Sequence, residues 1–184
     1  MIYFLSGASR SGKTLIAREI LEEANVSYLS LDWLLIGFDE GLTKVGTKHL
    51  SSTNEVAKKM WPALKKMIDN MLCDGEDCVI EGEALSPELM AELRAQYPDE
   101  VKVAFLGFDT IDVKKKVSLI KSNTEKENDW LASESDAYIQ DHVNNMIRYS
   151  KMIKTACKKH NLSYFDTSED FENATQRVKK FLLS

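Results

Sequence analysis

Cysteine is scarce in this chain: among 184 residues there are three, Cys73, Cys78 and Cys157. Their odd number suits no disulfide framework, and no two of them form the C-x-x-C pair that holds zinc. Reduced, mostly structural thiols are expected. Long apolar stretches are missing too, and no run approaches the ~20 residues that cross a bilayer. Strand-forming residues begin at Ile2, which leaves no room for a signal peptide, so the expected location is cytoplasmic, with no membrane partner. There is no basic excess: 24 Lys and Arg stand against 29 Asp and Glu, a net charge of −5. That balance argues against a broad surface for nucleic acid, while local basic clusters remain able to hold a phosphate. No internal repeat and no low-complexity linker divides the chain, and its length fits one α/β domain over 1–184.

Five apolar runs alternate with helical patterns: Ile2 to Leu5, Val26 to Leu31, Cys78 to Ile80, Val101 to Phe108 and Leu162 to Phe165. This alternation predicts a parallel sheet covered by helices on both faces. Between the runs, Val56, Met60, Leu64, Met67, Ile68 and Met71 keep helical spacing, as do Ile139, Val143, Met146, Ile147 and Ile153. These stripes are core rather than cofactor contacts. Pro62 falls inside the first of them and predicts a kink or a late helix start. Two segments, 36–53 and 121–136, lack core periodicity. The second is polar and charged, and lies where a closing lid is expected.

Residues Gly7, Ala8, Ser9, Arg10, Ser11, Gly12, Lys13 and Thr14 follow the first apolar run directly and precede a helical pattern. This G-x-x-x-x-G-K-T spacing is that of a phosphate-binding P-loop. Backbone N–H groups bind most of a triphosphate, and glycine lets the chain turn close to the oxygens. Lys13 supplies a point charge for the β- and γ-phosphates, and the Thr14 hydroxyl is suited to the shell of a magnesium ion. The helix that follows presents its N-terminal N–H groups to the same anion. The motif therefore predicts a nucleoside triphosphate, ATP, with Mg2+.

In an open parallel sheet, ligands bind beyond the carboxyl ends of the strands, so the polar residues just after each run carry weight. Asp32 ends the second run and suits a base for a substrate hydroxyl or an anchor for magnesium-bound water; a helix cap is its structural alternative. Glu81 follows the third run as a second acidic group for magnesium, with Glu83 close behind it. Phosphoryl transfer also calls for cations around the moving group. The candidates are Lys116, Lys121, Lys126 and, for its planar fork, Arg148. After the fifth run, Asp166, Thr167 and Ser168 are placed to border an adenine ring or to cap a helix that begins near Glu169. His49, His142 and His160 show no catalytic or metal spacing.

With these residues in hand, the chain resembles the small P-loop kinases, a family that includes the adenylate, shikimate, gluconate and 2-phosphoglycerate kinases and chloramphenicol phosphotransferase. The resemblance rests on Gly7 to Thr14, Asp32, Glu81-Gly82, the polar loop before Arg148, and Asp166-Thr167-Ser168. It implies a three-layer P-loop NTPase fold with a five-stranded parallel sheet in the order 2-3-1-4-5. It also implies a helical substrate-binding insertion near 36–60 and a lid near 121–136. The chain departs from the nucleoside monophosphate kinases in having no arginine between Arg18 and Arg94; in the substrate segment Lys44, Lys48, Lys58 and Lys59 are the firm cations. Its lid segment has Lys121 and Lys126 in place of paired arginines.

The function expected from these readings is transfer of the γ-phosphoryl group of ATP to a small-molecule acceptor, at a hydroxyl, with Mg2+. Lys13, Asp32 and Arg148 would carry the transfer, and Thr14, Asp32 and Glu81 the metal. The alternatives are a nucleoside monophosphate kinase and a nucleotide-dependent switch. No Asn-Lys-x-Asp sequence is present to read guanine.

Overall fold

A computed structural model of the chain describes residues 1–42, 52–122, 131 and 133–184. Part of the expected insertion, with Lys44, Lys48 and His49, and most of the expected lid, with Lys126, lie outside the described residues. The five apolar runs are five strands: β1 (Ile2–Gly7), β2 (Ser27–Ser30), β3 (Cys78–Glu81), β4 (Val101–Gly107) and β5 (Ser163–Asp166). They form one all-parallel sheet in the order β2-β3-β1-β4-β5. Among the described residues seven helices surround it: α1 (Lys13–Ala24), α2 (Leu31–Gly41), α3 (Thr53–Cys73), α4 (Pro87–Gln96), α5 (Val113–Ser122), α6 (Asp136–Lys159) and α7 (Phe171–Leu183). None is long and apolar enough to cross a membrane.

Strand alternation sorts the core into two layers. Ile2, Phe4, Cys78, Ile80, Val103 and Phe105 point to one face, where Leu31, Leu64, Ile68, Met90, Leu93, Ile153 and Cys157 cover them. The intervening residues Leu5, Val79, Ala104 and Leu106 point to the other face, against Ile16, Ala17 and Ile20 of α1 and Val178 and Leu182 of α7. Helices α1 and α7 are also joined by charge. Lys179, buried on α7, lies 2.9 Å from Glu19 and 2.7 Å from Glu23 on α1.

Helix α3 shows why Pro62 does not delay its helix. Ser52 accepts the N–H of Glu55 at 3.3 Å and donates its hydroxyl to the Glu55 carboxylate at 3.1 Å, a reciprocal cap that starts the helix at Thr53. Burial of Ala57, Met60, Leu64 and Ile68 then carries the helix through the missing N–H. The pair Lys121 and Asp136 joins the end of α5 to the start of α6, bracketing the polar segment between them.

Two glycines give opposite predictions. A Cβ on Gly7, whose φ is 130°, would stand 1.8 Å from the Leu106 carbonyl oxygen, so Gly7→Ala is expected to lower stability by about 2–4 kcal/mol. Gly37, inside α2, has nothing within 4 Å of the same position, and Gly37→Ala is expected to raise stability by about 0.5–1 kcal/mol. Denaturant titration of the two variants reads both signs.

Candidate active site

The loop between β1 and α1 is pinned at its start and bent at its middle. Ala8 donates its N–H to the Leu106 carbonyl of β4 at 3.0 Å, and Ser11 makes a longer turn contact, 3.3 Å, with the Ala8 carbonyl. Arg10 and Gly12 take the left-handed conformation, with φ of 58° and 102°. Gly12 is the only residue type that fits its position, since a Cβ there would meet the Phe171 ring at 2.7 Å. The first turn of α1 thus opens directly off this bend, with Gly12 at its cap position.

Lys13 is 7% exposed and folds across its own loop. Its ammonium donates to the carbonyls of Gly7 at 3.2 Å and Ala8 at 2.8 Å, and lies 3.9 Å from a Glu83 carboxylate oxygen. One residue on, the Thr14 hydroxyl donates to Glu81 Oε1 at 3.2 Å. Glu81 ends β3 and is 1% exposed. Asp32 lies in the first turn of α2, whose cap position is taken by Ser30. Burial pushes the Glu83 carboxyl above the usual range; Lys13 and the Ser9 hydroxyl oppose this, while the like charges of Asp32 and Glu81 add to it. Three carboxylates and one ammonium therefore face each other at the ends of β2, β3 and β1. Tyr149 of α6 borders the same group: burial first, then Glu83, pushes its hydroxyl up to about 12.

The donor set suits magnesium better than a metal that the protein cages alone. Among the described residues no three His, Cys, Asp or Glu converge on a metal position. A hydroxyl and a carboxylate already in contact, as Thr14 and Glu81 are, match an ion that takes its other oxygens from phosphates and water.

On the far side of the loop is a cavity of about 470 Å³ bordered by Arg10, Leu15, Ile111, Lys116, Leu119, Thr167, Ser168 and Phe171. Thr167 and Ser168 are thus where the sequence expected them. Thr167 donates both its N–H and its hydroxyl to the Gly107 carbonyl, at 2.8 and 3.1 Å, and Ser168 Oγ accepts the Thr110 N–H at 3.1 Å. Asp166 has a different place. It accepts the Ser168 N–H at 2.8 Å and lies 4.0 Å from Lys154, which pairs with Asp109 at 2.7 Å, so it braces the turn from behind the cavity. The helix that follows is capped by Asp170, which accepts the Asn173 N–H at 3.0 Å, and begins at Phe171 rather than near Glu169.

The structure does not bring Arg148 to this group. It is exposed, it donates to Asn145 on its own helix, and helical phase puts it opposite Val143 and Ser150, the buried face of α6. Lys121 is held at Asp136. The cation that reaches the loop from outside is Lys116, whose ammonium donates to the Arg10 carbonyl at 2.9 Å. Ile111, Leu119, Tyr149 and Phe171 are further site residues that no local pattern singles out, because each meets the loop, its cavity or its acids only through the tertiary fold.

No protein-family model matches the sequence, and no protein of curated function matches it. Solved structures do match. A shikimate kinase from Bacteroides thetaiotaomicron is 18% identical with a TM-score of 0.61, the match covering 100% of this chain and 99% of that one. A sugar kinase from Janibacter sp. HTCC2649 is 18% identical with a TM-score of 0.58, covering 98% and 93%. A gluconokinase from Sinorhizobium meliloti 1021 is 15% identical with a TM-score of 0.56, covering 98% and 90%. The likeness at these identities is one of fold, and the fold, with its sheet order 2-3-1-4-5, is that of the P-loop small-molecule kinases.

Proposed function

We propose that this chain is an ATP-dependent phosphotransferase that moves the γ-phosphoryl group to a hydroxyl of a small molecule, with Mg2+. The observation that carries this reading is the contact of the Thr14 hydroxyl with the buried Glu81 carboxylate, 3.2 Å, beside a phosphate loop whose lysine faces carboxylates from neighbouring strands. The similarity in fold to proteins described as shikimate kinase, gluconokinase and sugar kinase supports it.

In this reading the loop N–H groups from Ala8 to Thr14 hold the donor phosphates, and Lys13 exchanges the Gly7 and Ala8 carbonyls for phosphate oxygens. Thr14 and Glu81 would hold Mg2+, with Asp32 reaching it through water; the ion supplies charge neutralisation at the phosphoryl group. Asp32, exposed at the start of α2, orients the acceptor hydroxyl and takes its proton. Thr167 and Ser168 line the side of the cavity where the base is expected, while Asp166 shapes their turn. Closure by the polar segment between α5 and α6 would keep water from the phosphoryl group.

Coupled ATP-turnover assays across hydroxy acids, sugars, amino alcohols and nucleoside monophosphates test the reading. Phosphorylation of one acceptor class in step with ATP consumption is the expected result. Tight nucleotide binding with no acceptor-stimulated turnover would instead mark a switch. Asp32→Asn is expected to lower transfer by about 100-fold or more while ATP affinity stays within about threefold. Lys13→Ala is expected to weaken ATP binding and transfer together, read by equilibrium binding and by turnover. For Glu81→Gln, the Mg2+ concentration giving half-maximal rate should rise about tenfold, with metal-free ATP binding unchanged.

A further inference from the structure

Lys116 is a buried lysine to which the roles above give no task. It is 8% exposed, on α5, and its ammonium lies 4.1 Å from the centre of the Phe108 ring while donating to the Arg10 carbonyl at 2.9 Å. That carbonyl sits at the one left-handed bend of the phosphate loop made by a residue with a Cβ. Such a conformation costs about 1 kcal/mol or more and persists where its surroundings over-determine it. The oxygen also belongs to the peptide whose N–H is that of Ser11. A cation on the oxygen polarises that peptide, and the Ser11 N–H has only the long 3.3 Å contact with Ala8 to give up.

We propose that Lys116 is a positioning residue for triphosphate binding, holding the bend at Arg10 through its carbonyl and setting the Arg10–Ser11 peptide as a donor to the anion. This rests on the triphosphate reading of the loop. Burial, and then the nearby Arg10 charge, pushes the Lys116 ammonium down to about 8. The charged groups around it are Arg10 on the loop, Lys115 on its own helix and Glu169 across the cavity. His142, on the α6 side of Arg10, is pushed down by burial and then by Arg10, so it is neutral throughout the alkaline range.

The sign of the effect follows. Above pH 8 the folded chain loses the Lys116 proton, and the hold on the Arg10 carbonyl with it, so triphosphate affinity falls. Between pH 8 and the usual lysine value the unfolded chain binds more protons than the folded one, so this group makes stability rise with pH. Affinity and stability thus move in opposite directions, which a merely structural lysine would not produce.

The test is equilibrium titration of ATP with Mg2+ into the wild-type protein, Lys116→Arg and Lys116→Met. For the wild type, affinity is expected to fall about fivefold between about pH 7.5 and 9.5. Lys116→Arg is expected to bind at a near-constant affinity over the range, and Lys116→Met to bind about tenfold more weakly at pH 7.5 with no further loss. ATP binding that is flat with pH in the wild type overturns the assignment, as does a folded Lys116→Met that binds within about twofold of it. If neither variant folds, the wild-type profile alone decides. A wild-type protein that binds no triphosphate at any pH fails differently: it removes the reading of the loop itself, and the role of Lys116 with it.

Discussion

Ala8 gives its N–H to the Leu106 carbonyl at 3.0 Å, and Gly7 passes so close to the same oxygen that no side chain fits between them. This contact fixes where β1 ends and how its loop leaves the sheet. Because β1 lies between β3 and β4, the loop emerges with the tip of β3 on one side and the tip of β4 on the other. The acids at the β3 tip and the cavity beyond β4 are both positioned from it. A shift of one residue in the β1–β4 register would turn Phe4 and Leu5 to the wrong layers and carry Lys13 away from Glu83.

The acids beyond β2 and β3 lie close enough to act on one another. Glu83 feels the like charges of Asp32 and Glu81, and its burial makes that repulsion stronger than it would be in water. Lys13 offsets part of this by lying against two carbonyls and Glu83. In the proposed reading, a magnesium triphosphate would answer both signs at once, the ion at the acids and the phosphates at Lys13 and the loop amides.

The sheet was legible because its central strands, β1, β3 and β4, are buried on both faces. Its strands read as continuous apolar runs, and the bounds seen in the structure fall within a residue or two of those runs. The bend of the loop was legible because Gly7 and Gly12 stand where the backbone takes positive φ. Asp32, Glu81, Thr167 and Ser168 followed from strand ends alone. Asp166 did not, because whether a strand-end side chain faces the cavity or the brace behind it depends on Lys154 and Asp109, far along the chain. Arg148 was chosen for its chemistry, but the phase of α6, set by Val143, Ser150 and Ile153, turns it outward. Phe171 meets Gly12, and Lys116 meets Arg10, across more than a hundred residues of sequence, and no local pattern encodes such meetings.

Helices α1 and α7 both begin at the β1–α1 loop, one with Lys13 and the other with Phe171 against Gly12, and the buried Lys179 ties them together further along. Prising them apart would strand a buried cation without its counter-ions, which is costly. They form one braced layer on this face of the sheet. The backbone of α1 beside Lys179 should therefore open rarely, and slow amide exchange there would report it.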